Sequence, residues 1–279
     1  MVASSRLWPA GLLALFVPCA CSLVTSLDGL SGAATDAPDA ALPSEASVVG
    51  PDTSTADVDA GSGFDAAAPF CSSLTNNPAF CADFDGIDPV AGWSTKLTMG
   101  TGSVVEPSTA ASNSAPRALR SSVGVGGDRY AFLERSLASA DHVRLSYSLY
   151  VDLRSTTDDY AVNLLSFEGV KTSYDFYLTI EGVGASYGQQ IDTPDGGASN
   201  TTGSLTQPIP TKKWTRVVLD VTLTGAREMV ITIDGVEAAR QPVVYAQPGP
   251  VKARAGITYA GPATSPGVVF IDDFLVELL

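Results

Sequence analysis

Between Trp214 and Val243 the chain alternates apolar and polar residues with a period of two. Val217, Leu219, Val221 and Leu223 alternate with Arg216, Val218, Asp220 and Thr222, the pattern of a strand with one buried face. Met229, Ile231 and Ile233 repeat it against Val230, Thr232 and Asp234. Thr224-Gly225-Ala226-Arg227 supplies the first turn and Asp234-Gly235 the second, because the central residues of a tight hairpin turn need positive φ. The segment is a β-meander with one dry face. The same period runs through Val143–Leu153, where Val143, Leu145, Tyr147, Leu149, Val151 and Leu153 share one face.

Tyr160–Phe167, Tyr174–Ile180, Gly256–Tyr259 and Val268–Leu278 read as further strands, and Ile191–Gln207 as a long polar loop. No stretch sustains a helical period. Many short strands separated by turn residues predict an all-β, two-sheet antiparallel jelly-roll sandwich over residues 70–279.

The first 69 residues break this pattern. Residues 1–21 combine Arg6, the apolar run Gly11–Val17 and small residues, the layout of an export signal too short to span a bilayer. Pro18-Cys19-Ala20-Cys21-Ser22 resembles a bacterial lipobox, with Pro18 and Cys19 departing from its usual occupants. That resemblance implies a lipid on Cys21 and an exported protein anchored at the outer membrane or cell surface. Residues 22–69 hold eight acids, no Lys or Arg, and much Ala, Ser, Thr, Gly and Pro. Such a segment cannot offset its chain entropy by burial and reads as a disordered, self-repelling tether.

Charge and cysteine usage narrow the chemistry. The whole chain carries a formal net charge of −14, and residues 70–279 hold 22 acids against 15 bases. A surface of that sign repels phosphate backbones, so nucleic acid is excluded as an expected partner. With Cys19 leaving with the signal and Cys21 lipidated, Cys71 and Cys81 remain, and in an exported chain they are expected to form a disulfide. One histidine and no second cysteine pair leave zinc without ligands.

With the strands laid out, residues 70–279 resemble the concanavalin A-like lectin and glucanase jelly roll, in the sense that includes laminin-G-like domains. The features are Phe80-Cys81-Ala82-Asp83-Phe84-Asp85-Gly86, Trp214 before a long strand, the Ile233-Asp234-Gly235 hairpin and the terminal Phe270-Ile271-Asp272-Asp273-Phe274. A galactose-binding-like jelly roll shares the opening and closing motifs and is the alternative. The resemblance implies carbohydrate or protein recognition, sometimes with calcium, and glycoside hydrolysis in some branches. It also implies that the first and last strands run side by side, bringing Asp83 or Asp85 near Asp272 or Asp273 as candidate calcium ligands. Strict alternation would put Asp272 on one face with Phe270 and Phe274, and Asp273 on the other with Ile271.

Catalytic signatures are missing. No strand carries the alternating carboxylates of a glucanase, and Asp158-Asp159 and Asp272-Asp273 are adjacent pairs, so no glycosidase pair is legible. Gly184-Ala185-Ser186-Tyr187-Gly188 matches a nucleophile elbow in letters only: no helix start follows it, and His142 precedes it. It reads as a glycine-rich loop. The expectation is a non-catalytic domain.

Sugar sites set aromatic faces against pyranose rings and amides or carboxylates against hydroxyls. Candidates are Tyr150, Tyr177, Tyr187, Tyr245 and Tyr259, with Asp175, Gln189, Gln190 and Asn200 as polar partners, while Trp93 and Trp214 read as packing residues. The leading expectation is a cell-envelope lipoprotein with a lectin-like domain that binds glycan. The competing one is a structural or adhesion lipoprotein that contacts another envelope protein and takes no sugar.

Overall fold

In the computed structural model, residues 69–279 are described apart from 154–158, 171, 183, 194–197, 245 and 263. Cys21, the export signal and the tether through residue 68 lie outside the described residues, as does Tyr245. After a short 3-10 turn at Phe70–Ser73 come fifteen strands among the described residues. They are β1 (Phe80–Ala82), β2 (Thr95–Met99), β3 (Val104–Ser108), β4 (Ala118–Val123) and β5 (Arg129–Ala140). Next are β6 (His142–Leu153), β7 (Tyr160–Glu168), β8 (Ser173–Ile180), β9 (Ala185–Asp192) and β10 (Ala198–Ser204). The last are β11 (Trp214–Thr222), β12 (Glu228–Ile233), β13 (Val236–Pro242), β14 (Gly249–Ala260) and β15 (Gly267–Leu278).

The strands form two antiparallel sheets. The eight-stranded sheet runs β13-β12-β11-β6-β15-β4-β3, with β1 also paired to β15, and the seven-stranded sheet runs β10-β9-β8-β7-β14-β5-β2. The crossing order follows from burial. The central strands carry an apolar row on one face, and the rows of both sheets must meet to leave water. Leu145, Tyr147 and Leu149 on β6 join Val217, Leu219 and Val221 on β11, and opposite them lie Val162 and Leu165 on β7 with Phe176 and Leu178 on β8 in one core. The meander forms as its pattern predicts, and Asp234 and Gly235 adopt φ of 48° and 81° at its tight turn.

β1 and β15 run side by side, with Phe80 opposite Val276 and Ala82 opposite Phe274. Cys71 and Cys81 are bonded, tying the 3-10 turn to β1. Trp93 packs here as a sealing residue, 4.8 Å from the Phe80 ring and 5.1 Å from that of Phe274.

Two local expectations are corrected. Ile191–Gln207 is not a loop throughout: Ala198–Ser204 is edge strand β10, paired with β9 from Ala198–Asp192 to Ser204–Ser186. An edge strand needs little apolar surface, which hides it from a hydrophobic pattern. The glycine-rich stretch around Ser186 is likewise strand β9. Strict alternation also fails in β15. Its register against β6 shifts between Asp272 and Leu275, and Asp273 takes a φ of 50°. Ile271 and Phe274 both enter the core, while Asp272 and Asp273 come together on the other side. A bulge inserts one residue and resets the period, and Asp tolerates the left-handed backbone better than most residues.

Candidate functional site

The outer face of the seven-stranded sheet carries a groove of about 560 Å³, built on β7, β8, β9, β10 and β14. Alternation explains its membership. Phe176 and Leu178 point into the core, so Asp175, Tyr177 and Thr179 point out. Gln190 on β9 and Asn200 on β10 are register partners and face the same way. Arg254, Thr258 and Tyr259 of β14 form the opposite side.

Tyr177 is its organising aromatic. A Cβ placed on Gly188 would lie 2.5 Å from the Tyr177 Cζ and hydroxyl oxygen. The ring therefore lies down across β9, where only glycine leaves room. Burial pushes the Tyr177 phenol above its ordinary range, and a hydrogen bond with Asn200 opposes that shift. A flat, half-buried ring with its hydroxyl tethered offers one broad face and one polar edge, the shape that stacks against a sugar.

The polar groups around it are ordered by one another. Ser166 Oγ donates to Asp175 Oδ1 at 2.5 Å. Burial raises the Asp175 carboxyl above its usual range; Ser166 and the Arg254 charge pull it down, and Asp192 and Glu168 push it up. Arg254 Nε donates to Glu134 Oε2 at 2.7 Å, and its guanidinium carbon lies 5.1 Å from the centre of the Phe132 ring. Gln190 Nε2 donates to Asp192 Oδ1. Tyr259, 52% exposed, donates its hydroxyl hydrogen to Asp128 Oδ1 at 3.2 Å.

Of the aromatic candidates, the groove gathers Tyr177 and Tyr259, with Asp175, Gln190 and Asn200 among the polar ones. Tyr187 is on the inward row of β9, half-buried against the core. Gln189 is also turned inward, only 2% exposed, donating to Pro242 O and accepting from Val244 N. Tyr150 belongs to the other sheet, its ring 5.4 Å from that of Trp214 and 5.9 Å from that of Phe270. Arg254 was overlooked in the sequence, although Val251-Lys252-Ala253-Arg254-Ala255 alternates cleanly enough to reveal a strand. His142 opens β6 far from this groove in register, with Nε2 2.8 Å from Asp220 Oδ1 on the eight-stranded sheet.

The four aspartates proposed for calcium gather near the β1–β15 seam, but proton donors surround them. Asp83 accepts from the amides of Cys71 and Asp85. Asp85 Oδ1 accepts from Arg117 N at 2.8 Å, and its Oδ2 is buried without a partner. Asp272 Oδ2 accepts from the amides of Asn113 and Ser114, and Asp272 Oδ1 from Asp273 N. Asp273 accepts from Asn113 Nδ2, Ser114 Oγ and Ser148 Oγ. Among the described residues no group of three or more His, Cys, Asp or Glu is arranged to hold a metal ion. Seven of the eight carboxylate oxygens accept N–H or O–H hydrogen bonds that a cation would have to displace, and Asp85 Oδ2 is the one left without a partner. Burial, then the Asp273 charge, push the Asp272 carboxyl up to about 7, against the pull of three backbone amides.

No family model matches the chain, and no curated protein matches it. Solved structures do. Endo-β-1,4-glucuronan lyase from the fungus Trichoderma reesei superposes with a TM-score of 0.58 at 11% identity, over 73% of this chain and 96% of that one. The PL-14 alginate lyase from Aplysia kurodai gives 0.51 at 12%, over 73% and 100%. The cellulose induced protein Cip1 gives 0.50 at 13%, over 72% and 97%. At such identities the likeness is one of fold, and it places the described residues among all-β jelly-roll sandwiches.

Proposed function

We propose that this groove binds a carbohydrate chain and does not cleave it. The observation that carries the reading is the Tyr177 ring laid across Gly188, flanked by Asn200, Gln190 and Asp175. Sugar rings present an apolar face and an equatorial belt of hydroxyls, and this arrangement offers a matching partner for each. The glucuronan and alginate lyases of like fold support a polysaccharide as the ligand. On the same grounds we infer a place in the concanavalin A-like group.

Elimination is the second reading, because two of the similar folds are named lyases. A lyase must neutralise the uronate carboxylate beside the proton it removes, and hold a base there. Among the described residues lining this groove Arg254 is the cation, and it already binds Glu134. That chemistry supports recognition over elimination. The competing role, an adhesion lipoprotein touching another envelope protein, would leave the groove unused.

The test is affinity electrophoresis of the full chain through gels containing soluble polysaccharides, with product analysis. Retardation by at least one polysaccharide, without new unsaturated or reducing ends, supports binding. Chain cleavage abolished by a groove substitution would establish an enzyme instead. Anchoring through Cys21 on an exported protein is a further proposal; a Cys21→Ser chain that remains membrane-bound would refute it.

A further inference from the structure

The same groove has a charge character that selects among saccharides. Its sheet face carries Glu134 on β5, Glu168 at the end of β7, Asp175 on β8 and Asp192 on β9, with Glu181 just beyond β8. The described cations of that face on β14 are Arg254, which lines the groove, and Lys252 beyond it, and each is already matched. Lys252 Nζ lies 3.1 Å from Glu168 Oε1, and Arg254 Nε 2.7 Å from Glu134 Oε2. Among the described residues no ion pair engages Asp175, Glu181 or Asp192. The Arg254 charge and, against it, those of Asp192 and Glu168 act on Asp175, and the charges of Asp175 and Asp192 act on Tyr177. Among the described residues of this face the five acids named outnumber the two cations, and Asp175 lines the groove beside Tyr177.

We infer that the groove takes saccharides without acidic groups, and holds most tightly those bearing free amines, such as chains of 2-amino sugars. The inference rests on the groove being a glycan site. A polyuronate brings one carboxylate per sugar into a face whose described cations, Lys252 and Arg254, already pair with Glu168 and Glu134, so it meets repulsion and lost solvation. A neutral chain meets the ring and amides alone. A protonated amine adds an attraction to carboxylates that no ion pair among the described residues engages, and one that salt weakens. The groove thus differs in ligand charge from the glucuronan and alginate lyases whose fold it resembles.

The experiment compares three probes of the same length on the immobilised full chain by frontal affinity chromatography, at a mildly acidic pH where sugar amines are protonated. The probes are a β-1,4-linked glucosamine hexamer, cellohexaose and a glucuronate hexamer. The first two differ only in amine against hydroxyl at carbon 2. Retention of glucosamine at least tenfold tighter than cellohexaose, shrinking as salt is raised, with the uronate unretained, is expected. Combining Asp175→Asn with Glu181→Gln should bring the two retained probes toward equality, while Tyr177→Ala should abolish retention of both. Equal retention of glucosamine and cellohexaose, or retention of the uronate, overturns the ligand class; if Tyr177→Ala removes that retention, the groove itself stands as a glycan site. Retention of glucosamine that survives Tyr177→Ala is attraction to an acidic chain and overturns both. Failure to retain any of the three overturns the ligand class, and the groove reading is then decided by neutral and acidic glycans of other linkages.

Discussion

Tyr177 and Gly188 occupy opposite positions on β8 and β9, and the ring of the first covers the backbone of the second. The glycine acts through the space it leaves. Changing Gly188→Ala puts a methyl 2.5 Å from the end of the ring, and the tyrosine, a side chain at the surface, yields before the sheet does. The substitution is expected to cost about 1 kcal/mol of stability or less, yet to weaken retention by polysaccharide roughly tenfold or more, about 1.4 kcal/mol. Thermal unfolding and affinity electrophoresis on the same preparation check the two halves. Equal losses in both would mean that Gly188 serves the fold alone.

Asp272 makes stability depend on pH in the unusual direction. Its carboxyl is pushed up to about 7 in the folded chain, against an ordinary value of 3.8. Between those values the folded state holds a proton that the unfolded chain has released. Stability is therefore expected to fall as pH rises from 3.8 toward 7, and this contribution to level off above. The effect has an upper bound of about 4 kcal/mol. Asp272→Asn should flatten that part of the melting temperature against pH, whatever it does to the absolute value.

Removing the Cys71–Cys81 bond tests how the domain begins. The residues are ten apart in sequence, and opening so short a loop is expected to cost about 3 kcal/mol through the unfolded chain. It also frees the 3-10 turn that carries Phe70, whose ring centre is 5.5 Å from the Arg216 guanidinium carbon. A Cys71→Ser, Cys81→Ser chain should melt several degrees lower with its groove still functional. An unchanged melting temperature would contradict the stated role.

Calcium at Asp83, Asp85, Asp272 and Asp273 is tested by chelation. With amide and hydroxyl donors already on seven of the eight carboxylate oxygens and only Asp85 Oδ2 open, excess chelator should leave the melting temperature unchanged. A fall in melting temperature that Asp273→Ala abolishes would place the cation there after all.

Strand parity made much of this legible. Val143–Leu153, Trp214–Thr222 and Glu228–Ile233 lie in half-buried strands, and alternation alone puts Asp175 and Tyr177 on the surface of β8. The same reasoning failed wherever the period is broken or silent. Asp273, at φ 50°, shifts the phase of β15 and unites two aspartates that strict alternation separates. Asn163, at φ 44°, accompanies a register shift between β7 and β8. β9 and β10 carry glycines where rings from neighbours lie: Tyr177 over Gly188, and Tyr187 over Gly203. A glycine that makes room for another strand's side chain reads, one residue at a time, as a loop. The groove could not be assembled from sequence because its rim comes from β14, about eighty residues after β8, and only sheet order brings Arg254 beside Asp175.

The central claim is that the face of the seven-stranded sheet, through Tyr177, recognises carbohydrate. A glycan array probed with the full chain and with its Tyr177→Ala and Tyr150→Ala forms tests it most directly. Tyr150 is an aromatic of the other sheet, packed against Trp214, and serves as the control. The account predicts a defined set of bound glycans for the unaltered chain, the same set for Tyr150→Ala, and loss of that set for Tyr177→Ala. An empty array, or a set that Tyr177→Ala leaves intact, would contradict it.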